Sequence, residues 1–170
     1  MNEKIYEKIA FLAQKLVTLC KENEKKVSTA ESCTGGMISA AITSVSGSSS
    51  VIELGVCSYS NRIKSEILKV TEETLAEFSE YSKNCAKEMA SGVRALSGAD
   101  YAVSTTGVAG PTGDSPEHPV GEVFIAVCSE KVVQAERFLF DGNREQVRAK
   151  ACETALEQLI SVIEKDLNLQ

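Results

Sequence analysis

Four short polar segments carry the side chains that could do chemistry. The first is "STAESCTGG" (28–36), where Ser32 and Cys33 stand side by side ahead of Gly35 and Gly36. The second is "SYSNRIK" (58–64), which supplies Tyr59, Asn61 and Lys64. The third is "STTGVAGPTG" (104–113), with Thr105 and Thr106 followed by Gly107, Gly110 and Gly113. The fourth, "DGNRE" (141–145), places Arg144 at the start of the last helical stretch. A serine hydroxyl attacks a carbonyl only if a base takes its proton. A lysine can be that base once its amine is neutral, and burial in an apolar pocket lowers its pKa in that direction. His118 is the only histidine and sits in a Pro-rich loop, which argues against a Ser-His-Asp triad. Cys33 is a rival nucleophile, activated by Lys64 or by a helix amino end.

Each segment also has a plainer use. Glycines after a strand let backbone N–H groups face a phosphate or carboxylate, so Thr34, Gly35 and Gly36 could hold an anion. Alternatively, Ser32 or Thr34 caps the next helix and the glycines permit close packing. The local pattern is neither GxGxxG nor a phosphate loop, and it leaves both readings open. A lone lysine is more often a solvated surface residue, and a lone tyrosine a core aromatic. "AGPTGDSPEHP" (109–119) could be a surface loop of turn residues, or its glycines could bring backbone donors to an oxyanion. Arg144 suits a phosphate, although a solvated arginine is commoner.

Positioning these groups requires a scaffold. Apolar residues at helical spacing predict a helix over 3–21, carrying Ile5, Ile9, Leu12, Leu16, Val17 and Cys20 on one face. "KKVSTAE" reads as a short strand, "CTGGMISAAITSV" as a helix broken at 46–49, and "SVIELGVCSYS" as a second strand. After Asn61 come two or three helical segments, the last ending at Gly98. "DYAVSTTGV" is a buried-looking strand; "VGEVFIAVCSE" and "VVQAERFLF" read as a pair of strands joined at Glu130 and Lys131. A final helix runs from about Asn143 to Asp166. Strands separated by helices, with a later antiparallel-looking pair, predict a three-layer α/β/α fold with a mixed sheet. Three of the polar segments follow apolar strands, and in α/β sheets ligands collect at the carboxyl ends of strands.

Composition narrows the field. The chain has 170 residues, enough for one domain (1–170) with a real core. It carries 18 basic and 24 acidic residues, a net charge of -6 with no basic tract, which argues against nucleic acid as a partner. No apolar run approaches membrane-spanning length and nothing resembles a secretion signal, so the expectation is a cytoplasmic protein with no membrane partner. The six cysteines are scattered without a CxxC pair, which excludes the usual zinc spacings and predicts reduced, small apolar residues.

The motifs "TAESCTGG", "GSSSVIELGVCSYSNRIK", "TGVAGPTG", "HPVGEVFIAV" and "DGNREQVR" occur in the order and spacing of a known family. The chain resembles the CinA carboxyl-terminal domain family over roughly residues 5 to 165. Enzymatic members are nicotinamide-nucleotide amidohydrolases. The resemblance implies an α/β/α domain that hydrolyses the carboxamide of nicotinamide mononucleotide, in pyridine nucleotide recycling. It implies no metal or cofactor, and a homo-oligomer. Carried over position by position, it makes Ser32 the nucleophile, Lys64 the general base and Tyr59 a residue that orients one of them. Thr34, Gly35 and Gly36 become anion contacts. Thr106 and Arg144 become substrate contacts; with Asn61, Thr105, Gly107 and Gly110, taken from the reading of the polar segments themselves, they make up the expected substrate-binding set. A catalytically inactive nucleotide-binding homologue and an amidase with another substrate, or one using Cys33, are the alternatives. The sequence departs from the family at Arg62 and Ile63, where Glu and Ala are common, and at Asn143, which replaces an aspartate. It also departs in "EFSEYS" (77–82), where a small Gly-containing segment is usual.

Overall fold

In the computed structural model the described residues are 2–113 and 115–169; Met1, Asp114 and Gln170 of the expected domain lie outside them. The elements run α1 (Asn2–Glu22), β1 (Val27–Glu31), α2 (Met37–Thr43), one 3-10 turn (Ser48–Ser50), β2 (Ile52–Cys57), α3 (Asn61–Leu68), α4 (Glu72–Glu77), α5 (Lys83–Ser97), β3 (Tyr101–Gly107), β4 (Glu122–Cys128), β5 (Val133–Leu139) and α6 (Arg144–Asp166). Two expected boundaries are corrected. The helix expected from Cys33 begins at Met37, because Gly35 and Gly36 both take positive φ and turn the chain first. The strand expected from 50 begins at Ile52, after the 3-10 turn, and ends at Cys57.

The sheet order is β2-β1-β3-β4-β5. β1 pairs parallel with β2 and with β3, whereas β3–β4 and β4–β5 pair antiparallel, so the sheet is mixed as expected. Alternation along each strand divides the core. Val27, Val103, Val123, Ile125 and Val127 face a layer built by α1, α2 and α6, including Leu16, Ile38, Leu156, Leu159 and Ile163. Ala30, Ala102, Phe124 and Ala126 face the other way, against Met89 and Val93 of α5 and Leu68 of α3. β3 and β4 are buried along almost their full length, as central strands covered on both faces must be. Small residues on the α5 side let that helix lie close to the sheet.

Two contacts fix the helices that carry functional side chains. Gly92 of α5 lies under the last turn of α3: a Cβ there would stand 1.8 Å from the Leu68 carbonyl oxygen. Any side chain at 92 would therefore push α3 away. At the other end of the chain, Asn143 caps α6. Its side chain accepts from the Gln146 N–H at 3.0 Å, and the Gln146 side chain accepts from the Asn143 N–H at 2.9 Å. Such a capping box satisfies two orphan donors and sets the direction of the first turn, where Arg144 sits. α1 and α6 run parallel, joined by Tyr6–Glu145 at the start, Lys8 with Glu153 and Glu157 further along, and Lys15–Glu164 toward the end.

Candidate active site

β1, β2 and β3 are parallel, so their carboxyl ends open on one edge of the sheet. The three polar segments leave from that edge, β4 enters there and α6 starts there. Their convergence is thus a consequence of strand direction.

The turn after β1 is organised by a carboxylate. Glu31 is fully buried, and its Oε2 accepts from the N–H groups of Gly36 and Ile38, both at 3.0 Å, and from the Thr34 hydroxyl at 2.7 Å. Its Oε1 accepts from the Ser39 N–H and the Ser39 hydroxyl, both at 2.8 Å. The residue before the turn therefore caps α2, whose own N-cap position is Gly36 and offers no side chain. Gly36 serves here because its φ of 94° is costly for any residue with a Cβ. Arg148 closes the turn from outside: its guanidinium donates to the carbonyls of Cys33 (3.1 Å) and Thr34 (2.7 Å). This corrects the expectation that Thr34, Gly35 and Gly36 contact a ligand anion. The Gly36 amide and the Thr34 hydroxyl are bound to Glu31, and Gly35 N–H donates to the Ser32 carbonyl. Neither Ser32 nor Thr34 caps α2.

The turn presents Ser32 to Lys64. The Lys64 Nζ lies 3.1 Å from the Ser32 Oγ, and the lysine is only 1% exposed. α3 carries it inward, its first turn held by the Ser60 hydroxyl, which accepts from the Ile63 N–H. Burial pushes the Lys64 amine below the ordinary lysine value of 10.5; nearby Cys85, Glu80 and Cys33 push weakly the other way. Cys33 is only 5% exposed, and loss of solvent pushes its thiol up to about 12. It therefore stays protonated, the wrong state for a nucleophile at neutral pH.

Above the pair lies a cavity of ≈ 220 Å³. Ser32, Cys33, Tyr59, Asn61, Lys64, Gly107 and Arg144 line it together with Glu80, Tyr81, Val108, Ala109, Thr112 and Gly113. Tyr59 is 62% exposed, a rim residue and not a core aromatic. Its hydroxyl accepts from Arg144 at 2.8 Å, and the same guanidinium donates to the Gly110 carbonyl at 2.7 Å. Arg144 is thus an oriented rim cation.

Thr105, Thr106 and Gly110 are not in the lining, which corrects their expected ligand contacts. Thr105 Oγ1 shares a 2.7 Å hydrogen bond with Thr34 Oγ1 beneath the turn. Thr106 donates to the Glu80 carbonyl, between α4 and α5, at 2.7 Å, fixing the backbone of that cavity residue. Gly110 contributes only its carbonyl to Arg144. Sequence reasoning missed the cap role of Glu31, the brace from Arg148 and the two wall residues Glu80 and Tyr81. Arg148 follows Arg144 by four residues and so shares its helix face, a signal that could have found it. Among the described residues no group of three or more His, Cys, Asp or Glu could hold a metal, and no helix is long and apolar enough to cross a membrane.

The family model of the CinA C-terminal domain matches residues 9–163. The chain belongs to the CinA C-terminal domain family. Among its relatives are the CinA-like protein of Endomicrobium trichonymphae, 48% identical over 141 residues, and that of Thermotoga maritima, 43% identical over 144 residues. These alignments cover 83% and 85% of this chain but only 33% and 35% of the relatives, so the chain spans about a third of their length. Solved CinA-superfamily structures match along nearly all of theirs. The competence/damage inducible protein CihA of Agrobacterium tumefaciens is 40% identical with a TM-score of 0.88, covering 91% of this chain and 94% of that one. A CinA superfamily protein from Klebsiella pneumoniae is 32% identical with a TM-score of 0.89, covering 92% and 98%. The five-stranded mixed sheet flanked by helices is therefore a CinA fold.

Proposed function

We propose that this CinA domain is an amidohydrolase that converts nicotinamide mononucleotide and water to nicotinate mononucleotide and ammonia, with Ser32 as nucleophile and Lys64 as general base. The observation that carries the reading is the 3.1 Å contact between a buried lysine amine and a serine hydroxyl at the floor of a cavity. Family membership and the rim cation Arg144, suited to a substrate phosphate, support it.

With Lys64 neutral, the Ser32 O–H donates to Nζ. As the Oγ–carbon bond forms, the proton moves to the lysine and the carboxamide π electrons move to oxygen. The Val108 N–H is already given to the Glu122 carbonyl; the role of oxyanion donor is assigned to the Cys33 amide, which adjoins the nucleophile in the chain. Collapse of the adduct breaks the carbon–nitrogen bond, and the lysine ammonium returns its proton to the leaving ammonia. Water, deprotonated by the same neutral lysine, then cleaves the acyl–serine ester and restores Ser32. Tyr59 and Arg144 hold the far end of the nucleotide, and Asn61 on the rim is a further polar contact.

Ammonia release from nicotinamide mononucleotide tests this. Ser32→Ala and Lys64→Met should each lower kcat by about four orders of magnitude or more while circular dichroism stays native. Full activity in Ser32→Ala would sink the nucleophile, and saturable binding without turnover in the unmutated protein would sink the enzyme reading.

A further inference from the structure

The cavity has a wall that the mechanism does not use. Glu80 and Tyr81 lie between α4 and α5, and both line the cavity floored by Ser32 and Lys64. Among the described residues the Glu80 carboxylate makes no ion pair; its charge reaches Lys64 through space, without a salt bridge. Its backbone is held from behind by the Thr106 hydroxyl. Tyr81 is held as firmly. The His118 ring meets the Tyr81 ring at 75° with centroids 5.5 Å apart. His118 in turn bonds Ser79 through Nε2 (3.2 Å) and Glu122 through Nδ1 (2.6 Å). Glu122 is nearly fully buried and is further fixed by Arg137 at 2.5 Å. The ring at the cavity wall is thus braced by His118, itself held by Ser79 and Glu122.

An unpaired carboxylate beside a fixed aromatic ring is the arrangement that attracts an organic cation, through charge and through the ring quadrupole. Arg144 provides the opposite charge on the rim. The cavity therefore has an anionic wall and a cationic lip, complementary to a molecule with a positive ring and a negative tail. We propose that Glu80 and Tyr81 select substrates whose carboxamide is carried on a positively charged, N-substituted pyridinium ring, the anionic end of the same molecule resting at Arg144. This rests on the amidohydrolase reading for its substrate, but the charge preference is a property of the wall and is tested by binding alone. A cation docked beside Lys64 also opposes protonation of the lysine, so a pyridinium substrate favours the base form that attack requires.

The test is calorimetric titration of the folded Ser32→Ala protein with two matched pairs. One is 1-methylnicotinamide against neutral nicotinamide. The other is nicotinamide mononucleotide against its reduced form, which keeps the phosphate but has an uncharged dihydropyridine ring. The cation should bind about tenfold tighter in each pair. Adding Glu80→Gln, an isosteric change at a side chain without a hydrogen bond among the described residues, should bring the ratio close to one. Adding Tyr81→Leu should reduce it, and Arg144→Gln should weaken both nucleotides equally without altering the ratio. Equal binding within the pairs, a ratio unchanged by Glu80→Gln and Tyr81→Leu, or no measurable binding of either cation would overturn the inference. A charge preference without ammonia release by the unmutated protein would leave the inference standing and sink the amidohydrolase reading; ammonia release without charge preference would do the reverse.

Discussion

At the scale of single residues, Lys64 carries the sharpest consequences. Its amine is pushed below 10.5 by burial, so the rate of the proposed deamidation should rise with pH through a midpoint lower than that of an ordinary lysine. A pH profile of kcat/KM checks this, and a midpoint at or above 10.5 would contradict it. Stability moves in the same direction. Between the lowered folded value and 10.5 the unfolded chain binds more protons than the folded one, so stability should climb with pH across that window. Below the window the penalty for burying the ammonium is fully present; above it the penalty is gone. Lys64→Met removes the ionisable group, so its denaturant midpoint should lose that slope and match or exceed the parent near neutral pH. Cys33 makes the complementary case. With a thiol pushed up to about 12, it should resist iodoacetamide at pH 8, and Cys33→Ser should keep substantial deamidase activity. Rapid inactivation by the alkylating agent that is blocked by substrate and absent in Cys33→Ser would reinstate the thiol.

Among elements, the turn between β1 and α2 and the docking of α3 on α5 decide whether the pair can form. Glu31→Ala would strip its donors at the start of α2 of their acceptor. Hydrogen bonds to a charged group contribute about 1.5–3 kcal/mol each, so urea unfolding should show a loss at least of that order, with kcat lowered because the turn holding Ser32 loosens. Gly92→Ala should shift α3 outward against the Leu68 carbonyl, and both Tm and kcat should fall while Gly98→Ala, whose Cβ meets nothing within 4 Å, changes kcat little. These same elements show what could be read beforehand. The strands and the terminal helices were legible because apolar periodicity is a local signal, as in Leu156, Leu159 and Ile163 of α6. The expectation that the segments carrying Ser32, Tyr59 and Lys64 meet at one edge followed from strand direction; that Arg144 joins them was not part of that reading. The depth of Lys64 was not legible, because it depends on the packing of α3 against α5, about twenty residues further along, whose Cys85 lies near the lysine. Nor was the self-capping by Glu31, since a carboxylate one residue before a serine reads equally well as solvated. Glu80 and Tyr81 lie in a stretch without periodicity, so only the fold could bring them to the cavity.

For the molecule as a whole, the burial pattern predicts a gradient of stability. β3 and β4 are covered on both faces, whereas β5 is partly exposed along its length and β2 is a half-exposed edge. Native-state hydrogen exchange should therefore be slowest for amides of β3 and β4 and faster by orders of magnitude in β5. Uniform protection across the sheet would contradict that layering. Cavity residues come from both kinds of region: Gly107 from the rigid centre, Tyr59 and Arg144 from the periphery. The parallel course of α1 and α6 has a practical corollary. Because Tyr6 meets Glu145 next to Arg144, a tag joined ahead of α1 would emerge beside the cavity mouth. One joined after α6 would leave from the opposite edge of the sheet, where Lys131 meets the carbonyl of Asp166. Tethering to a sensor surface or resin by the carboxyl end is thus the orientation that leaves the cavity open to solution.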